Sequence, residues 1–222
     1  KIIGSCELFL TQLRKAQLPV VHFSELHDME HLWTESSVDG LTFCIGKYGV
    51  NNMEITIGDD VNQRHNVIIT GAVGQGKSNA ISNIGQDDYL PHARTLGLES
   101  DVSFGVAVLN SLFNEYQSRM KLLKEHNAKS IRELRQRHPE IEMPRIVVVI
   151  DEFQMMFGDD TYGEGKNIAE LLEKSVRLFR AAGIHFILAS QTLIGNMALA
   201  GNKDSIFSQI PIRIALKNSE SE

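Results

Sequence analysis

Cysteine is nearly missing from this chain: Cys6 and Cys44 are the two in 222 residues. Two thiols cannot build a disulfide framework or a four-cysteine metal site, and a reducing compartment is the simpler expectation. Proline is scarce at 5, tryptophan occurs once, and neither a low-complexity tract nor a solenoid-length repeat is present, which excludes linker-like and repeat architectures. No apolar run approaches the ~20 residues that a membrane-spanning helix needs. Positive charge is also short, with 22 Lys and Arg against 28 Asp and Glu for a net charge of -6. Any grip on a polyanion must therefore come from a local patch. The chain opens at Lys1 with no signal-peptide pattern, so it reads as a piece of something longer, cytoplasmic, with any membrane anchor outside this piece. What is present, 42% apolar and 23% charged residues, suffices for a buried core and excludes disorder.

The first forty residues show a helical spacing over Cys6–Lys15, closed by Pro19, and a second short helix up to Trp33. Leu41–Lys47 and Met53–Ile57 read as strands around a turn-like Gly46–Asn52. Val67–Thr70, Arg145–Ile150, Ile184–Ala189 and Ile212–Leu216 are apolar, β-branched runs expected as buried strands. Between them, helices are predicted over Asn79–Ile84, Phe104–His126, Ile131–His138 and Ile168–Ala182, the last ended by Gly183. The Phe104 helix carries Val108, Leu112, Phe113, Tyr116, Met120 and Leu123 near one stripe. Strands alternating with helices predict an α/β fold, an open and mostly parallel sheet with helices on both faces.

Gly71-Ala72-Val73-Gly74-Gln75-Gly76-Lys77-Ser78, followed by Asn79, completes the G-x-x-x-x-G-K-S phosphate-loop pattern directly after a strand. Wrapping backbone N–H groups around a phosphate needs glycine where a Cβ would block the approach. Lys77 is expected on the β- and γ-phosphates of ATP and the Ser78 hydroxyl on Mg²⁺. The run Arg145–Ile150 then ends in Asp151 and Glu152, which places two carboxylates at the ligand-binding edge of the sheet. Asp151 is expected to hold Mg²⁺ through water and Glu152 to orient the attacking water. Ile184–Ala189 ends at the same edge in Ser190 and Gln191, whose carboxamide is expected to sense the γ-phosphate or fix the lytic water; a plain capping role is the alternative. Arg177 and Arg180 precede that strand, either solvated or, for one of them, reaching a neighbouring subunit's phosphate.

Several of these segments together resemble the motor domain of the FtsK/SpoIIIE family of DNA translocases. Arg180-Ala-Ala-Gly-Ile-His-Phe-Ile-Leu-Ala-Ser-Gln191 is similar to that family's signature, as is Val149-Ile-Asp-Glu-Phe153 to its acidic strand. Phe113–Met120, with Glu115-x-x-x-Arg119, resembles a helix of the motor, and Ile210–Ala215 a strand near its end. The resemblance covers about residues 41–222 and leaves residues 1–40 as a helical segment without a role. It implies a RecA-like P-loop ATPase domain that assembles as a homo-oligomeric, usually hexameric, ring around double-stranded DNA. It implies Lys77 and Ser78 for nucleotide and metal, Asp151 and Glu152 for hydrolysis and Gln191 as sensor; of the two arginines, Arg180 is the candidate taken for a trans-acting catalytic role.

The departures point to a divergent branch. Ser190-Gln-Thr-Leu193 stands where a familiar member has Thr-Gln-Arg-Pro, and no buried strand is legible between Ser78 and Arg145. The helix after the loop breaks at Gly85-Gln-Asp-Asp88, which favours residues missing near 84–86 over the loss of an edge strand. Residues 119–145 hold eight basic side chains against four acidic ones, a candidate phosphate-facing patch or simply a solvated helical face. The leading expectation is an ATP-driven translocase of double-stranded DNA serving segregation, conjugation or defence against foreign DNA. The alternative is a motor of the same superfamily acting on protein, as in type VII secretion. A third reading, an ATP-holding scaffold, fits poorly with an intact Asp151-Glu152 pair.

Overall fold

The structure, a computed structural model, describes residues 26, 36–78, 80, 81, 102–157, 164–191 and 203–216. Apart from Leu26, both expected N-terminal helices lie outside the described residues, as do most of the helix after Asn79, Asn79 itself and the break at 85–88. In chain order the elements are β1 (Leu41–Tyr48), β2 (Asn51–Ile57), β3 (Val67–Thr70), α1 (Val102–Glu125), α2 (Ile131–Arg137) and β4 (Ile146–Ile150). A 3₁₀ turn over Phe153–Phe157 leads to α3 (Glu164–Leu178), a second 3₁₀ turn over Phe179–Ala182, β5 (Ile184–Ser190), α4 (Lys203–Ser208) and β6 (Ile212–Ala215).

The four strands β4-β5-β3-β6 form one sheet in that order, with every neighbouring pair parallel. All four therefore end at the same edge, and the loops that follow β3, β4 and β5 converge there. Period-two alternation divides the sheet between two cores. Ile68, Ile184, Phe186 and Leu188 face the cluster built by Leu109 of α1, Ile168, Leu172 and Val176 of α3, and the turn residues Phe153 and Phe157. Val67, Ile69, Ile187 and Ala189 face the opposite way, onto Phe43, Ile45, Ile55 and Ile57 of the β1-β2 hairpin and onto Ile81. Among the described residues, that second face is covered by the hairpin and the helical turn after the loop. Burying each such Ile, Leu or Phe contributes about 1.5–3 kcal/mol, so the central strands are the best-anchored parts of the fold.

Three readings of the sequence change in the structure. The run Ile146–Ile150 was expected to be buried, yet among the described residues β4 pairs with β5 alone and Val149 is 41% exposed. The expected turn Gly46–Asn52 is tighter: the strands run to Tyr48 and resume at Asn51, pairing antiparallel around Gly49 and Val50. The helix expected to end at Ala182 gives way at Phe179 to 3₁₀ geometry, so Arg177 and Arg180 do not share one helix. Gly183 then caps it at φ 71, and a Cβ there would lie 2.6 Å from Ile131 Cδ1.

Candidate functional site

The loop after β3 turns back on itself with Gly74 at φ 76 and Gly76 at φ 89, conformations that a side chain makes costly. Ala80 N donates to Gly76 O at 2.9 Å, which starts a helical turn at Lys77 and Ser78. Backbone N–H groups at that start have no helical acceptor and suit an anion. Val73 and Gln75 are exposed, Ala72 is half-buried, and Gly71 N donates to Ser190 O at 3.3 Å, which joins the loop to the end of β5.

Lys77 is buried, with its ammonium against Glu152 and its Nζ 3.7 Å from Asp151 Oδ1. Asp151 is more open, and its Oδ1 accepts from Glu152 N at 2.9 Å. Glu152 adopts φ 48, a left-handed conformation that costs a non-glycine residue about 1–3 kcal/mol. The 3₁₀ turn that follows holds it there: Met155 N donates to Glu152 O at 2.8 Å, and Phe153 and Phe157 are fully buried with rings 6.0 Å apart.

Both carboxylate oxygens of Glu152 are occupied. Oε1 takes the Lys77 ammonium and Gln191 Nε2 at 2.7 Å; Oε2 takes Gln154 Nε2 at 2.6 Å and Gln191 N at 3.3 Å. Burial works to raise the acid's pKa, but hydrogen bonds from Lys77, Gln154 and Gln191, with the Lys77 charge, outweigh it and hold the group below its ordinary value. The carboxylate is thus a firmly anionic partner of Lys77 in this state.

The structure therefore brings Lys77, Asp151, Glu152 and Gln191 to one edge of the sheet. Ser78 is exposed beside Lys77. No cluster of three or more His, Cys, Asp or Glu that could cage a metal occurs among the described residues. One or two carboxylates with a hydroxyl are what Mg²⁺ needs when phosphates and water complete its shell, so Asp151 and Ser78 fit a nucleotide-borne ion. Arg180 is elsewhere: exposed, just before β5 begins, at the opposite end of the sheet from Lys77. It cannot serve the nucleotide of its own chain. Gln154 went unnoticed in the sequence because nothing in the pattern marks the turn that folds it back onto Glu152.

The expected basic patch is largely spent inside the molecule. Arg119 is buried, with its Nε on Glu115 Oε1 at 2.8 Å and its Nη1 on Pro144 O at 2.7 Å and Ala182 O at 3.0 Å. Arg145 donates to Ser37 O and Val38 O, Arg132 to Asp39 Oδ1 and Arg135 to Ser37 Oγ. Lys121, Lys124 and Lys129 remain exposed.

Comparison with known proteins places this arrangement. The DNA translocase FtsK of Helicobacter pylori is 25% identical over 236 residues, an alignment covering 93% of this chain and 26% of the relative. FtsK of Chlorobaculum tepidum is 25% identical over 194 residues, and that of Staphylococcus aureus 24% over 209. The chain is a divergent relative of the FtsK-type motors. It spans about a quarter of the length of the H. pylori FtsK, and no family model matches it. Among solved structures, the pCW3 conjugation coupling protein TcpA with ATPγS superposes with a TM-score of 0.63 at 22% identity, covering 88% of this chain and 58% of that one. The cytoplasmic domain of the Thermomonospora curvata type VII secretion ATPase EccC gives 0.64 at 20%, covering 92% of this chain and 27% of that one. These likenesses show the fold, a RecA-like P-loop ATPase domain, as the FtsK-like segments of the sequence implied. Among the described residues no helix is long and apolar enough to cross a membrane.

Proposed function

We propose that this domain hydrolyses ATP to drive double-stranded DNA through a ring of its copies. The observation that carries the reading is the convergence of Lys77, Asp151, Glu152 and Gln191 on the edge that a phosphate loop faces. Lys77 leaves Glu152 to bind the β- and γ-phosphates, with backbone N–H groups after Gly76 on the same anion. Mg²⁺, held by Ser78 and Asp151, supplies neutralisation of phosphate charge. Glu152, released from its ion pair, orients water toward the γ-phosphorus and accepts its proton, and Gln191, beside that carboxylate, senses the γ-phosphate. Arg180 of the adjacent copy completes the charge at the interface, since its place far from Lys77 suits only a second chain's nucleotide.

DNA is favoured as the moved polymer because the sequence relatives reported above are DNA translocases aligned along 72–93% of this chain. The likeness to EccC, at 20% identity, extends to fold alone and keeps a protein-moving motor as the second reading.

ATP turnover by the full-length protein, with and without linear duplex DNA, tests this. Duplex DNA is expected to raise turnover at least tenfold, and Lys77→Ala is expected to abolish it. Turnover indifferent to DNA overturns the choice of polymer. Comparable turnover by Glu152→Gln, which should trap bound ATP, overturns the hydrolytic role of Glu152.

A further inference from the structure

The Glu152 carboxylate is held by contacts of different origin, with Gln191 on both oxygens. Lys77 stands on the loop after β3, and Gln191 follows β5, so both grip Glu152 across strand boundaries. Gln154 alone grips it from the same turn, two residues on, with Nε2 2.6 Å from Oε2. Its backbone is fixed by its neighbours, because Phe153 and Phe157 are fully buried in the core beneath the sheet. A contact inside one buried turn moves with Glu152 whenever the strands shift. Contacts from other strands do not.

This difference matters once nucleotide arrives. Lys77 is then claimed by phosphate, and Oε1 keeps only Gln191. Any shift of the loop after β5 during the cycle weakens that hold as well. Oε2 keeps the amide of Gln154 throughout. A hydrogen bond to an ionised carboxylate is about twice as strong as a neutral one and fixes its plane. The geometry points to Gln154 as a positioning residue that sets the orientation of the Glu152 carboxylate after Lys77 has left it. The inference rests on the assignment of Glu152 above. It concerns orientation of the carboxylate, not its charge.

The test compares full-length protein carrying Gln154→Met, similar in length but without a donor, with the unaltered chain in DNA-stimulated ATP turnover. The kcat is expected to fall about tenfold, while KM for ATP and the Kd of a fluorescent, slowly hydrolysed ATP analogue stay within twofold. Gln154→Glu, which sets a like charge against Glu152, is expected to lose more kcat with the same unchanged Kd. In a Glu152→Gln background, Gln154→Met is expected to change residual single-turnover rates by less than twofold, because there is no carboxylate left to aim. Unaltered kcat in Gln154→Met, or a loss shared equally by Kd and thermal stability, overturns the positioning role while leaving Glu152 as the base. Undiminished turnover by Glu152→Gln alone removes the base, and the role of Gln154 falls with it.

Discussion

Arg119 and His185 show how much of the chemistry at single residues is structural. Arg119 joins three parts of the chain at once: its own helix through Glu115, the approach to β4 through Pro144 O, and the approach to β5 through Ala182 O. Replacing it with methionine keeps the stem but strands two carbonyls, each worth about 1–3 kcal/mol if left unpaired. Arg119→Met is accordingly expected to lower urea-unfolding stability by about 2–4 kcal/mol. His185 is fully buried on β5, with Nε2 2.9 Å from Arg145 Nη1 and its ring stacked 6.2 Å from that of His65. Burial first, then the charge of Arg145, depress its pKa from 6.5 to about 3. A depressed pKa stabilises the fold above the unfolded value and loses that stability as pH falls. Unfolding free energies from urea titration are therefore expected to drop between pH 6.5 and about 3, by up to about 1.4 kcal/mol per pH unit from this group. His185→Gln, which retains an acceptor for Arg145, is expected to flatten that slope.

The elements were legible in the sequence where pattern alone decides them. Val67–Thr70 and Ile184–Ser190 are short and mostly apolar on both faces, and only central strands of a parallel sheet need that. The loop glycines, Lys77 and the acid pair were legible because phosphate binding restricts residue type at fixed spacing. Adjacency was not legible. β4 and β5 are both apolar runs, and nothing in either shows that they lie side by side, since strand order is settled by how intervening helices pack rather than by the strand's own residues. The basic run after Arg119 misled for a related reason: a count of charges cannot show that Ser37, Val38 and Asp39 lie across it as acceptors. Gly183 is a case where sequence and structure agree on a cost. Gly183→Ala combines a left-handed φ of 71 with a contact on Ile131, and is expected to destabilise the protein by about 1–2 kcal/mol in thermal melts. Pairing it with Ile131→Val should restore part of that loss, the part due to contact.

At the scale of the whole molecule, the parallel sheet separates the parts of the proposed reaction to opposite ends. Lys77, Glu152 and Gln191 share one edge, and Arg180 stands at the other. On the proposed trans role of Arg180, a single chain would hold an incomplete site, and mixed assemblies test it. Copies bearing Lys77→Ala and copies bearing Arg180→Ala, each inactive alone, are expected to regain part of the turnover when mixed, and a mixture as inactive as its components removes the trans role of Arg180. The piece that spans the two ends is β5, seven buried residues extending roughly 20 Å with Arg180 just ahead of it and Gln191 just behind. A stiff strand packed on both faces does not compress, so a tug at one tip is felt at the other. Under the proposed ring arrangement, β5 would tie Gln191 at one copy's nucleotide edge to Arg180 at the end turned toward the next copy. Firing order around such a ring would then need no separate messenger.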